Sequence, residues 1–295
     1  ALVNPDLFWA IRGGGGNFGI VTQFEFQLHP VGPEIFAGLL VFPLEQARQV
    51  LDHYRRFVKT APEALNIWVV MRKAPPLPFL DTSVHGKNVV VLAVFYNGDS
   101  TKGEKRIEPL FAFGKPCGSH VGEMPYVEWQ QAFDPLLTPG ARNYWKSHNF
   151  ISLKDDLFDL LVSQAGDMPT DQFEIFIGFL QGAANRVPAD ATAYRYRDAH
   201  FVMNVHGRWE PHEDDDRCID WARALYDATT PFASAGTYVN FMTRDEGSRV
   251  AAAYGPNYER LLRIKRKYDP ENIFHLNQNI DPNLGTSHHK EKIRA

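Results

Sequence analysis

The sequence predicts an α+β fold: a large antiparallel sheet covered by helices. Three observations carry this expectation. Short segments of alternating or wholly apolar residues recur along the chain as strands. Between them lie stretches with an apolar stripe at helical spacing. Neighbouring strand segments, such as 66–72 and 89–95, follow one another with no helix between them, whereas parallel pairing needs a long crossover. The chain has 295 residues, enough for one large core or two ordinary domains, and is 44% hydrophobic and 22% charged, both globular proportions.

Residues 6–12 read as a short helix behind Pro5, with Asp6 near its positive end. Gly13-Gly14-Gly15-Gly16 follows. In 20–28, Ile20, Thr22, Phe24, Phe26 and Leu28 alternate with Val21, Gln23, Glu25 and Gln27, the pattern of a half-buried strand. Pro30 and Pro33 end it and set a domain boundary near residue 31. Residues 36–42 form the next strand. Residues 44–58 form a helix whose stripe is Ala47, Val50, Leu51, Tyr54 and Val58. Strands are expected at 66–72 and, after a proline-rich loop, at the wholly apolar 89–95. Helices are expected at 101–111, 127–133 and 154–163, with a mixed stretch at 140–150. Strands follow at 174–180 and 201–205, then a helix at 214–228 that opens on a run of acids. A strand at 238–241 and a helix at 258–267, stopped before Asp269-Pro270, complete the set. The polar tail from Gly285 is expected to fray.

Composition excludes several classes. Lys+Arg total 31 and Asp+Glu 35, a net charge of −4, so no global basic field favours nucleic acid. No apolar run approaches the roughly 20 residues of a membrane helix. Cys117 and Cys218 are too few for a disulfide scaffold and leave one bridge between them open. The histidines show no ligand spacing, so no metal is expected. Neither a G-x-S-x-G nor a Walker A pattern occurs, and there is no internal repeat. The chain opens on Ala-Leu-Val-Asn-Pro-Asp with neither Met nor a secretory leader, as expected of a piece of something longer or a processed product. Aromatics make up 13%, which suits a β-rich core or a pocket for a flat ligand.

The glycine run satisfies G-x-G-x-x-G at Gly14, Gly16 and Gly19. A dinucleotide fold needs a strand before this motif and a helix after it. The order here is helix, glycines, strand, which argues against a Rossmann fold and an NAD enzyme. A tight helix-to-strand connection and a nest of backbone N–H groups for phosphate both remain open. Near the C-terminus, Arg260, Arg263, Lys265, Arg266 and Lys267 crowd the last helical turns and read as a solvated face that complements the helix dipole.

The run Asp6-Leu7-Phe8-Trp9-Ala10-Ile11-Arg12, the four glycines, then Asn17-Phe18-Gly19-Ile20-Val21-Thr22, resembles the end of the flavin-binding domain of FAD-linked oxidases of the berberine bridge enzyme type. Asn257-Tyr258-Glu259-Arg260-Leu261, Lys265, Tyr268-Asp269-Pro270-Glu271-Asn272-Ile273-Phe274 and Asn277-Gln278-Asn279-Ile280 resemble that family's C-terminal segment. Tyr144-Trp145-Lys146-Ser147, Thr192-Ala193-Tyr194 with Arg197, and Tyr238-Val239-Asn240-Phe241 fall between them in the family's order. The resemblance implies that 1–31 are the C-terminal edge of a PCMH-type FAD-binding domain and 32–255 a substrate-binding domain. Residues 256–284 would return to the flavin, and 285–295 would be a flexible tail.

It further implies FAD as cofactor, a small-molecule substrate (an alcohol, sugar or secondary metabolite) giving hydride to flavin N5, and molecular oxygen as acceptor, yielding hydrogen peroxide. Neither nucleic acid nor membrane is an expected partner. The alternative is a catalytically inactive ligand-binding module of the same fold. Gly15, Gly16, Asn17, Phe18, Gly19, Ile20, Val21, Asn240, Asn277 and Asn279 would face the cofactor, and Gln181, Asn204 and Phe241 the substrate. Neither cysteine matches a flavin-attachment position.

The proton acceptor is the open point. Many relatives carry a Tyr where this chain has Phe241, which cannot take a proton. Several carry a Glu in the strand before Trp209, where this chain has Asn204 and His206 and no acid. The candidates are Tyr238, His206 and Tyr144, with Tyr196 as a further one. Tyr238 comes first because it shares a strand face with Asn240, and a phenol acts as base only where a donor or cation stabilises its phenolate.

Overall fold

The computed structural model describes residues 3–234, 236–275 and 278–284. The chain divides into two compact units, one of residues 27–182 and 199–234, the other of residues 1–26, 183–198 and 235–295.

The larger unit is built on seven strands: β1 (Glu34–Pro43), β2 (Leu65–Lys73), β3 (Asn88–Tyr96), β4 (Gly118–Pro125), β5 (Arg142–Phe150), β6 (Glu174–Phe179) and β7 (Phe201–Trp209). They form one sheet in the order β4-β1-β3-β2-β6-β7-β5, and every pair is antiparallel. In chain order the helices of the whole molecule are α1 (Pro5–Ile11), α2 (Ala47–Phe57), α3 (Gly103–Ile107), α4 (Tyr126–Gln131), α5 (Asp155–Ala165), α6 (Ala183–Arg186), α7 (Asp215–Thr229), α8 (Val250–Tyr254) and α9 (Tyr258–Tyr268). The α+β expectation holds.

Alternation along the strands gives the sheet two different faces. On one, Ile67, Val69, Met71, Ile175, Ile177, Met203 and Val205 meet Val50, Leu51 and Tyr54 of α2, Leu157, Phe158 and Leu161 of α5, and Ala222 and Leu225 of α7. Each such side chain, fully buried, contributes about 1.5–3 kcal/mol. The N-terminus of α7 is capped by Asp214, whose carboxylate accepts from the Arg217 N–H. On the second face, register aligns Arg72 with Glu174, Glu174 with His206, and His206 with Trp145 across four strands. Short α4 lies towards the other end of that face, where Trp129 stacks on Phe95 and Phe133 tilts against Trp68.

Three elements depart from the sequence expectation. Residues 20–28 form no strand: Ile20 is 82% exposed, Phe26 72% and Leu28 80%, and nothing among the described residues pairs with them. Alternation sets up a strand, but the ladder needs a partner. Residues 238–241 are a single 3₁₀ turn, Val239–Phe241, rather than a strand, closed by a bond from the Phe241 N–H to the Tyr238 carbonyl. β4 went unforeseen because Gly118, Gly122 and Pro125 dilute its pattern at the edge of the sheet. The mixed stretch at 140–150 contains the regular strand β5. Both cysteines are free thiols.

The smaller unit packs Trp9, Ala10, Phe18, Met242, Tyr254, Leu261, Ile264 and Ile280 into its own core. Its helices are short, and polar bonds hold much of it. Asp6 of α1 accepts from Lys267 Nζ and from the Tyr268 hydroxyl of α9, which together hold its carboxyl down at about 2. The Asn257 amide donates to the carbonyls of Ala189 and Thr192.

Candidate functional site

The glycine loop leaves α1 in a conformation that only glycine meets easily. Gly13 has φ +119°, and a Cβ there would lie 2.5 Å from the Tyr194 nitrogen. A Cβ on Gly14 would lie 2.3 Å from the Ala10 carbonyl oxygen. Helix end and loop are therefore pressed against their neighbours. Beyond them Gly15 and Gly16 are exposed, while Asn17 and Phe18 turn inward, 1% and 6% exposed. Gly19 is half-buried, and Ile20 and Val21 project into solvent.

Asn17 is the hinge between the two sequence motifs. Its Nδ2 donates to the Gly14 carbonyl at 3.0 Å and to the Gln278 carbonyl at 3.1 Å, and its Oδ1 accepts from the Ile280 N–H at 3.1 Å. Its own carbonyl accepts from Lys265 Nζ at 2.8 Å. Lys265 is fully buried and also donates to the Asp269 carboxylate and the Phe274 carbonyl, both at 2.5 Å. Asp269 in turn accepts from the Ile273 and Phe274 N–H groups. Burial works to raise the Asp269 carboxyl, but Lys265 and the two N–H donors outweigh it and hold the group below the ordinary carboxylate range. The solvated-face reading of the basic cluster thus fails at Lys265. It shares the buried side of α9 with Leu261, Leu262 and Ile264, and there it anchors the loop.

Around this hub three buried polar atoms have no partner among the described residues: Asn272 Oδ1 in the turn after Asp269, Asn279 Oδ1 and the Tyr254 hydroxyl. The hydroxyl lies 3.9 Å from where a Cβ on Gly15 would start. Acceptor and hydroxyl suit a group that offers both N–H donors and carbonyl acceptors. Asn277 lies outside the described residues. Gln278 Nε2 donates to the Met242 carbonyl at 2.8 Å, so the segment is also tied to the turn at 239–241.

In that turn Asn240 is exposed and its Nδ2 donates to the Tyr238 hydroxyl at 2.8 Å. Phe241 and Tyr194 stand edge-on to the Tyr238 ring, with centroids 5.1 and 6.0 Å away. Sequence thus brings Tyr238, Asn240 and Phe241 together, although through a turn rather than a strand. Tyr196, also in this unit, donates its hydroxyl to the Ala252 carbonyl at 2.5 Å, and burial raises its phenol.

The larger unit holds the remaining candidates. His206 is 7% exposed on the second sheet face, with Nδ1 3.2 Å from Glu174 Oε1 and Nε2 3.3 Å from Asn143 Oδ1. Arg72 donates to Glu174 Oε2 at 3.0 Å. Burial alone would raise the Glu174 carboxyl, but His206 and Arg72 hold it low. Asn204 lies on the same face, its Oδ1 buried and without a partner among the described residues. Tyr144 points the other way, into the helix-covered side, where its hydroxyl accepts from Arg223 Nε at 3.0 Å. Tyr144 and His206 are therefore not on one surface. Gln181 Nε2 donates to the Leu65 carbonyl at 2.9 Å, at the start of β2. Sequence reasoning overlooked Glu174, Arg72, Lys265 and Asp269. A charged residue between Phe173 and Ile175 was the available signal for Glu174; Arg72, followed by Lys73, carried none. No helix among the described residues is long and apolar enough to cross a membrane.

A family described as berberine and berberine like matches residues 237–281. An FAD-linked oxidoreductase of Dictyostelium discoideum is 28% identical over 284 residues, covering 95% of this chain and 59% of the relative. Xylooligosaccharide oxidase of Thermothelomyces thermophilus is 25% identical over 312 residues, with the same coverage of 95% and 59%. Among solved structures, BBE-like #28 from Arabidopsis thaliana overlays with a TM-score of 0.80 at 20% identity, over 94% of this chain and 62% of that one. Berberine bridge enzyme from Eschscholzia californica gives 0.78 at 21% identity, over 94% and 61%. The likeness to these structures establishes the fold. The chain spans about three fifths of the length of these relatives, corresponding to their C-terminal portion.

Proposed function

We propose that the chain is the C-terminal portion of an FAD-dependent oxidase acting on a small molecule. The observation that carries this reading is the buried hub of Asn17, Lys265 and Asp269. It joins two motifs about 250 residues apart into one surface, and beside it the Asn279 acceptor has no partner among the described residues. A buried polar atom without a partner is unusual enough to need a ligand or another explanation, and the lactam edge of a flavin meets the requirement. Residues 1–31 would form the edge of the cofactor domain, 32–255 the substrate part and 256–284 the return to the flavin. The unpaired segment 20–28 would complete its ladder with the preceding part of the longer protein.

When bound, the flavin would accept hydride from a substrate C–H and pass the electrons to molecular oxygen, giving hydrogen peroxide. The chain's own task is to hold the cofactor edge and to take a proton from the substrate. Asn279 and the glycine loop would hold the cofactor, and Asn204 the substrate. Tyr238 is the proton acceptor, because Asn240 Nδ2 already donates to its oxygen and would stabilise the phenolate. Phe241 walls the Tyr238 ring edge-on.

The test is anaerobic stopped-flow reduction of the full-length flavoprotein, with xylooligosaccharides and simple alcohols as first substrates. Tyr238→Phe should slow flavin reduction at least about tenfold, the lower reach of general-base loss, while the flavin stays bound. Reduction at the wild-type rate would make Tyr238 structural.

A further inference from the structure

We infer that Tyr194 is a specificity-determining residue beside Tyr238, donating its hydroxyl to a second oxygen of the substrate. The preferred substrate is then an alcohol with another oxygen on the neighbouring carbon, a vicinal diol being the simplest case. The inference rests on the oxidase reading above and leaves the transferred proton with Tyr238. Both tyrosines belong to the smaller unit and are half-buried. Their rings meet edge-on with centroids 6.0 Å apart.

The two phenols are held differently. The Tyr238 oxygen already accepts from Asn240 Nδ2 at 2.8 Å. The Tyr194 hydroxyl has no hydrogen-bond partner among the described residues and is not enclosed. Its ring, by contrast, is firmly placed. The Arg197 guanidinium covers one face, 4.6 Å from the ring centroid. Arg197 is itself anchored on the Ala184 carbonyl at 2.9 Å and the Thr192 hydroxyl at 2.8 Å. The Tyr194 N–H donates to the Arg12 carbonyl at 3.4 Å. A Cβ on Gly13 would lie 2.9 Å from the Tyr194 Cβ, so the glycine loop leaves this residue no room to retreat. A fixed ring with an unspent, accessible hydroxyl suits the orientation of a ligand. A site built to hydrogen-bond a substrate group also discriminates against the analogue that lacks it.

The surroundings assign the pair opposite roles. Burial raises the Tyr194 phenol; Arg197 works against the rise, while charge on Tyr238 and on Asp198 adds to it. Tyr194 therefore keeps its proton while Tyr238 accepts one, a donor and an acceptor side by side. The Tyr238 oxygen takes the proton of the reacting hydroxyl. A donor on that same oxygen would hold back the electron pair that must form the new carbonyl, so Tyr194 serves a neighbouring oxygen instead. An oxygen on the adjacent carbon is the nearest such group, and the short span between the two rings suits it.

Matched alcohols test this in the full-length protein: styrene glycol against α-methylbenzyl alcohol, and propylene glycol against isopropanol. The wild type should favour the diol of each pair about tenfold in kcat/KM, the scale of one hydrogen bond. Tyr194→Phe should bring that ratio close to one with the flavin retained. A wild type that treats the two alcohols alike, or a Tyr194→Phe protein that keeps the preference, would overturn the inference. Should Tyr194→Phe fail to fold, Tyr194→Met takes its place on the same ratio. A full-length protein with no flavin would sink the oxidase reading instead. There, and wherever neither alcohol is oxidised, ligand-observed NMR compares their dissociation constants in wild type and variant. Equal ratios in the two proteins would then overturn the role of Tyr194, and a diol preference lost with its hydroxyl would support it.

Discussion

The two compact units of this chain are held by different physics. The sheet unit rests on apolar burial: the inner side chains of α2 and α5 are fully enclosed over a face of Ile, Val, Met and Phe. The smaller unit has a thinner core and depends on a buried ion pair with every valence assigned, Lys265 to Asp269, Asn17 and Phe274. Burial is graded and tolerant, whereas a buried charge network fails abruptly when one member is lost. The contrast suits the proposed division of labour. In the proposed reading a broad platform would carry substrate contacts, while a stiff polar joint would set the loop that faces a cofactor.

Breaking the joint should have the largest effect. Lys265→Met leaves the Asp269 carboxylate buried and unpaired, and a loss of about 3–5 kcal/mol is expected. Thermal denaturation would show it, with proteolysis locating the damage in the smaller unit. Acid should act on the same joint. The Asp269 carboxyl is held low in the folded state, so its contribution is fully present above the unfolded value near 4 and is lost as pH falls through the lower folded value. Lys265→Met should flatten that part of the acid denaturation curve. If the variant melts like wild type at neutral pH, the hub does not hold the unit.

Cavity formation in the sheet unit should come next. Leu51→Ala removes a fully enclosed side chain of α2 and should cost about 2–4 kcal/mol, lowering the melting temperature of the sheet while leaving the glycine loop as resistant to protease as before. Smaller again is Gly13→Ala. Strain at φ +119° and the clash with the Tyr194 backbone should cost about 1–3 kcal/mol. The smallest is Asp214→Ala at the start of α7, about 1 kcal/mol for a lost N-cap. A Gly13→Ala protein as stable as wild type would show that the glycine run is only a permissive linker.

Much of this division was legible in the sequence because periodicity reports burial. The stripe Ala47, Val50, Leu51 and Tyr54 and the apolar run of β3 are each read from residues a few positions apart. What was hidden depends on partners distant in sequence. Lys265 sits among four other basic residues of α9 and its neighbourhood, and nothing local distinguishes it from Arg266, yet Asn17 lies 248 positions away and claims it. Glu174 and His206 are 32 positions apart, and only the β6–β7 register joins them. The turn at 239–241 carries strand-forming residues but closes on itself. Residues 20–28 have the alternation of a strand without its ladder, so pattern alone overstated them.

The most direct test concerns Asn279, whose buried Oδ1 has no partner among the described residues. Asn279→Ala in the full-length protein removes a side-chain oxygen that has no partner among the described residues, so the melting temperature should hold. If that atom accepts from the flavin, the midpoint potential of the bound flavin should move by on the order of 30 mV, the two-electron equivalent of one hydrogen bond of about 1.4 kcal/mol. The expected result is one FAD per wild-type chain and a shifted potential in the variant. A wild-type protein without flavin, or a potential that does not move, would contradict the assignment of this surface to the cofactor.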